Sequence, residues 1–274
     1  MAAWTGDLQL SMKNKRGTSV PETIYFQGAF KLMRPKYYDD SGQPCYFILN
    51  PGGGYVDGDR YRMSFTLEKN AELLLTTQAA TKIYRTPNKP VTQETTIVLN
   101  EGSLLEYIPD PIIAYNKANY KQTNIIHMKT GSTLIYSDII TPGWSPDGSL
   151  FSYENIQVKN TVYLNDQLAV FDHLKLNPAT DHIQDIGMME GFSHLGSMLV
   201  VNEDLQREHI EALTEQFRSD AADCKLGFSE LMAPGFSVRI LANQTQVIER
   251  ILSEIHSYIR EHLFSKKRVF LRKY

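Results

Sequence analysis

The chain has 274 residues, of which 42% are hydrophobic, with a formal net charge of −3 and two cysteines. That is enough apolar material for one large core or two small ones, and the slightly acidic balance argues against a general nucleic-acid binder, whose footprint is a clustered basic surface. No apolar run approaches the ~20 residues of a membrane span, the N-terminus lacks the basic-then-apolar order of a signal peptide, and Cys45 and Cys224 form no CxxC pair, so a cytoplasmic protein with free thiols is expected.

Trp4 to Met12 and Thr23 to Met33 read as strands, the second broken by Arg34-Pro35. A polar turn, Asp39 to Gly42, precedes the apolar run Cys45 to Leu49. Pro51 then introduces Gly52, Gly53 and Gly54, with Gly58 shortly after. No Gly-Lys-Ser/Thr follows and no helix opens behind them, so the glycines turn a corner between strands and do not cradle a phosphate. From Arg60 to Leu67 the chain alternates, with Tyr61, Met63, Phe65 and Leu67 on one face, and Ala71 to Thr77 is a second apolar run. Asp59 sits where turn becomes strand.

An internal echo follows. Ile97-Val98-Leu99 precedes Glu101 to Leu105, and Ile126-His127-Met128 precedes Thr130 to Leu134, as Phe65-x-Leu67 precedes Asn70 to Leu74. A recurrence of roughly 30 residues predicts stacked strand pairs, each burying a face on its neighbour, although repeats alone do not separate a solenoid from a sandwich. Alternation continues over Phe151 to Leu176, with Asn165-Asp166 as a turn and Asn177-Pro178 as the stop. Helices are expected over Glu203 to Asp220, capped by Asn202, and over Thr245 to Phe264, where Glu249, Arg250, Glu254, Arg260 and Glu261 take the polar face. A short strand, Phe236 to Leu241, lies between them. The basic tail, Lys266 to Arg268 with Arg272-Lys273, reads as a solvated terminus.

No GxSxG, HExxH or Cys-His arrangement appears, and the seven histidines are scattered. His256 and His262 lie six apart on the last helix, off a common face, so they are expected to be exposed or hydrogen-bonded. Asp59, Asp110, Asp138 and Asp172 fall at strand ends or turns amid apolar residues. Sparse oxygen ligands of this kind hold a divalent transition metal weakly, which suits transfer. A carbohydrate-active or carbohydrate-binding solenoid is the rival, with fifteen tyrosines available to line a sugar groove.

The stretch NPGGGYVDGDRYRMSFTLEKNAELLLTTQAATKIYR, residues 50 to 85, resembles the signature of the urease accessory protein family UreD, also called UreH. Ser137 to Gly143, SDIITPG, resembles a second signature, and Trp4-Thr5-Gly6 resembles the family's usual start. The resemblance runs nearly end to end and implies one mostly β, β-helical domain over 1–274, strand-rich to residue 200 and helix-strand-helix from 201. It implies a non-enzymatic maturation factor that works with UreF, and through it the GTPase UreG, to deliver nickel to the urease apoprotein through a water-filled tunnel lined by carboxylates. Nickel would pass transiently, with no tightly bound cofactor, nucleic acid or membrane. Asp59 and Asp138 match the family's aspartate positions, Asp172 lies in a segment that is often acidic in relatives, and Lys82 falls in the TTQAATK run. Relatives often carry arginine where this chain has Trp144.

Overall fold

The computed structural model describes residues 3–217 and 223–271. Strands β1 (Gly6–Lys15) and β2 (Thr18–Gly28) form a hairpin about Arg16-Gly17, both at positive φ. The short strands β3 (Lys31–Leu32) and β4 (Lys36–Tyr37) pair with β5 (Pro44–Leu49). The single strand expected over Thr23 to Met33 is thus divided at Gly28, where φ is +66° and an added Cβ would lie 2.0 Å from the Thr5 carbonyl oxygen.

The repeating part comes next. One coil comprises β6 (Arg60–Leu67), β7 (Glu72–Thr77) and β8 (Thr81–Ile83), and the following coil β9 (Val91–Leu99), β10 (Leu104–Tyr107) and β11 (Ile112–Ala114). A third begins with β12 (Asn119–Met128) and β13 (Thr133–Ile140). Equivalent strands stack in parallel, Leu73 on Leu105 on Leu134, so the echo in the sequence is a solenoid. Strand β14 (Asn155–Leu164) adds a further parallel layer, and β15 (Gln167–Leu176) folds back on it. The reversal is Asn165-Asp166, at φ 50° and 65°, as a two-residue hairpin turn of matching twist requires.

Beyond the solenoid lie β16 (His194–Val201), α1 (Arg207–Gln216), β17 (Cys224–Glu230), β18 (Gly235–Ala242) and α2 (Thr245–Leu263). The result is a seven-stranded sheet, ordered β15-β14-β12-β9-β6-β1-β2, facing an eleven-stranded one whose main path runs β17-β18-β16-β13-β10-β7-β5-β3. The first sheet is buried on one face, and β6 accordingly alternates between partly and fully buried residues. In the second sheet both faces are covered, so all eight residues of β13 are buried. Leu134, Tyr136 and Ile140 point between the sheets, whereas Ile135 and Ile139 join Ile248, Ile251 and Ile255 of α2 in an outer core. Close approach of α2 needs Gly196, since a Cβ there would stand 2.3 Å from Ile248 Cγ2.

Several expectations are corrected. Helix α1 starts at Arg207 behind Gln206, and Asn202 caps nothing; its side chain is spent on Thr133 Oγ1 (2.7 Å) and the Asp204 amide (2.8 Å). The expected end at Asp220 falls outside the described residues. Arg260 does not take the polar face of α2 but is 1% exposed, bound by Glu106. The basic tail is not simply solvated: Lys266 pairs with Glu72, Arg268 with Glu261, and the Lys267 carbonyl accepts from Arg260 Nε at 2.9 Å, while Arg272-Lys273 lie outside the described residues. No helix among the described residues is long and apolar enough to cross a membrane.

Candidate interior passage

Between the sheets, inward positions of the first sheet that alternation reserves for apolar side chains are in part polar. Thr95, Asn124, Asn160 and Asp172 are cross-strand neighbours on β9, β12, β14 and β15. Tyr61, Gln93 and Gln122 form the adjoining row. Because each coil repeats the register of the last, one polar residue per coil becomes a line of them along the solenoid axis.

These groups are wired together. Tyr55 donates its hydroxyl to Gln93 Oε1 at 2.8 Å, and Tyr120 donates to Gln122 Oε1 at 2.9 Å. The Tyr136 hydroxyl accepts from Gln122 Nε2 (2.9 Å) and Asn124 Nδ2 (3.0 Å) and donates to Asp138 Oδ2 at 2.5 Å. Asn124 Nδ2 also donates to Asn160 Oδ1 at 2.7 Å, and Asn160 Nδ2 to Asp172 Oδ2 at 3.3 Å. Two buried oxygens in the line, Thr95 Oγ1 and Asn124 Oδ1, have no protein partner. Buried polar groups are normally paired, so these two oxygens are open to a water or an ion.

Hollows follow the same course. A mouth of about 240 Å³ is lined by Asn50, Gly53, Gly54, Tyr55, Thr77 and Lys82, among others. It shares Tyr55, Thr77 and Thr81 with an inner hollow of about 30 Å³ that reaches Gln93, Gln122 and Asp138. Asp138 in turn lines a last hollow of about 10 Å³ with Asn160, Asp172, Ser197 and Arg239. About 10–15 Å³ is what one water needs, so the inner end is narrow and a bare ion would meet protein oxygens directly. Asp110 lines both the inner hollow and an outer groove of about 590 Å³ under α2.

Electrostatics single out one carboxyl. Burial pushes Asp138 up to about 7 against the pull of the Tyr136 hydroxyl; the Asp172 charge adds to the push and the Arg239 guanidinium opposes it. Its neighbours Tyr55, Tyr120 and Tyr136 are raised chiefly by burial, so they stay neutral hydroxyls. Asp138 is therefore a carboxyl close to the balance between acid and anion, held by neutral donors.

The sequence-predicted residues divide. Asp138 and Asp172 meet at one hollow, and Lys82 stands at the mouth. Asp59 is not brought to them: its oxygens accept from Thr5 Oγ1 (3.0 Å), the Val56 amide (2.8 Å) and the Tyr61 hydroxyl (2.8 Å), which fixes the turn. Gly53 and Gly58 take positive φ in that corner; at Gly54 a Cβ would lie 2.8 Å from the Lys82 carbonyl oxygen. Gly52 donates its amide to Asn50 Oδ1 at 3.0 Å. Trp144 is half exposed, the end of a row of tilted rings with Tyr115 and Tyr84 at 4.9 Å steps, so the position presents an aromatic surface. Sequence reasoning missed Gln122, Asn124, Tyr136, Asn160 and Arg239; the available signal was a polar residue at the inward phase of an alternating strand.

Comparison with known proteins is consistent from end to end. The family described as UreD urease accessory protein matches residues 5–273. A protein named urease accessory protein UreD from Lachnoclostridium phytofermentans is 49% identical over 274 residues, covering 100% of both chains. One of the same name from Staphylococcus aureus strain bovine RF122 is 44% identical over 273 residues, covering 99% of this chain and 98% of that one.

Proposed function

This chain belongs to the UreD family of urease accessory proteins, and on that footing we propose that it serves urease maturation as a conduit, passing nickel along the line of oxygens between its sheets. The observation that carries this reading is the shared lining: Asp138 belongs to both inner hollows, so its carboxyl is within reach of a cation in either. Neutral amide and hydroxyl oxygens replace part of the ion's hydration along the way, while one carboxyl at a time supplies charge. Such a site binds a divalent transition metal weakly enough to release it, which a conduit needs and a storage site does not.

The cargo would come from the family's GTPase, UreG, acting through UreF, and go to the urease apoprotein; this chain makes and breaks no bonds. The carbohydrate reading has less to stand on, because seven of the tyrosines among the described residues, Tyr61, Tyr107 and Tyr120 included, are buried where no sugar reaches. The test is reconstituted activation of apo-urease with the full accessory complex, Ni2+ and GTP. Asp138→Ala is expected to leave the complex assembled and to lower the activation rate about tenfold, the equivalent of ~1.4 kcal/mol in barrier. An unchanged rate from an assembled complex removes the conduit.

A further inference from the structure

Resting on the conduit reading, we propose that Arg239 is the gate at the far end of the passage: a displaceable counter-ion that holds Asp172 neutralised and the last hollow shut until a divalent cation takes its place. Asp172 stands on β15, the edge strand of the first sheet, and Arg239 on β18, next to the edge of the second. The guanidinium Nη2 donates to Asp172 Oδ1, so the pair clasps the two sheets together where the sandwich opens. The other oxygen, Oδ2, accepts from Asn160, the last amide of the interior line. Asp172 is thus held by a neutral dipole from inside and by a cation from outside.

A guanidinium has donors only and cannot coordinate a metal, so in this position it obstructs. An ion at Asp138 faces a like charge across a hollow of about 10 Å³. Leaving is easy for this arm. Its side chain is 40% exposed and that of Asp172 32%, so separating them strands neither charge in a dry interior. Room exists beside it as well: Gly227 on β17 is the cross-strand partner of Arg239, and a Cβ there would meet nothing within 4 Å. On the other side Arg239 neighbours Ser197, which neighbours Asp138, so no bulky side chain stands between gate and inner carboxyl. A 2+ ion draws on Asp172 twice as strongly as a monovalent ion at the same distance, which favours exchange for nickel over sodium or potassium.

A clasp that merely ties the sheets and a gate differ in how the two partners combine. In reconstituted activation with the complete accessory complex and Ni2+, Asp172→Asn leaves the guanidinium unneutralised in the passage and should lower the rate about tenfold. Adding Arg239→Gln to that variant should raise its rate about threefold, the missing Asp172 carboxylate accounting for the rest of the loss, and Arg239→Gln alone should run at or above wild type. Gly227→Val, a residue suited to an edge strand, fills the space the arm swings into and should slow activation with the melting temperature unchanged. The gate is overturned if Arg239→Gln is as damaging as Asp172→Asn and the double variant no better, or if Gly227→Val activates normally. If Asp138→Ala and all of these activate like wild type, the conduit itself is wrong; if Asp138→Ala is slow and no rescue is seen, the conduit stands without this gate.

Discussion

The second sheet carries two buried carboxyls on neighbouring strands, Glu106 on β10 and Asp138 on β13, and the two faces of that sheet treat them in opposite ways. Glu106 points outward beneath α2. Burial would raise it, but His256 and Arg260, with the Gln43 amide, bring it down to about 2. Arg260 Nη1 reaches Oε2 at 2.7 Å, Gln43 Nε2 donates to Oε1 at 2.8 Å, and Arg260 Nη2 extends to Asp39 at 3.2 Å. Asp138 points inward and meets hydroxyls and amides, so burial prevails and it sits near 7. A carboxylate surrounded by cations is a fixed anion, suited to holding a helix in place. One surrounded by neutral dipoles keeps its charge negotiable, which suits a site visited by ions.

Breaking the outer arrangement should have the largest effect. Glu106→Gln leaves the buried Arg260 guanidinium with only Asp39, at 3.2 Å, as counter-ion, and removal of one partner of a buried pair typically costs about 3–5 kcal/mol. Urea unfolding should show a loss of that order, with α2 the element released, and a midpoint equal to wild type would mean the network is dispensable. Acid reaches the same contact from another side. A lowered carboxyl contributes stability that is complete above its unfolded value of 4.5 and is lost as pH falls through about 2, so Glu106 itself adds no pH dependence near neutrality.

The inner carboxyl has the opposite sign. Asp138 binds its proton more tightly folded than unfolded, so its contribution is complete below the ordinary value of 3.8 and fades as pH rises through about 7. Between pH 4 and 8 wild-type stability should lose up to about 4 kcal/mol from this group. Asp138→Asn, neutral throughout, should flatten that slope while still losing activation. Denaturant midpoints across that pH range check it; parallel slopes for the two proteins would place Asp138 in water.

The two faces were also unequally legible in the sequence. Asp138 could be picked out because it sits in SDIITPG, and the roughly 30-residue echo foretold the stacking that gives the inner face its line of polar residues. Glu106 and Arg260 could not. On a helix that is otherwise amphipathic, arginine at a position flanked by Glu261 reads as solvent-facing, and only the long-range meeting with β10, 154 residues away, buries it. Strand β16 escaped for a related reason, being apolar on both faces, whereas β17 does show the period of two, with Cys224, Leu226 and Phe228 alternating with Lys225, Gly227 and Ser229, a signal only seven residues long. Asn124 and Asn160 are polar at inward phases, and sequence patterning alone reads such positions as interruptions. Their function lies in register, which no local pattern encodes.

A smaller change isolates the corner that shapes the mouth. Gly54→Ala would set a methyl 2.8 Å from the Lys82 carbonyl oxygen and 2.6 Å from the Tyr84 ring, at a φ of +157°. Backbone there cannot yield without moving β8, which pairs with β11 and so with the next coil. A loss of about 1–3 kcal/mol is expected, the usual range for an overpacked or strained position, below that of Glu106→Gln because no charge is stranded. Gly53→Ala is the matched control, since its Cβ meets nothing within 4 Å and only its positive φ is strained. If thermal melting ranks Gly53→Ala as the worse of the two, the corner is set by backbone conformation, and its close fit against Lys82 does not shape the mouth.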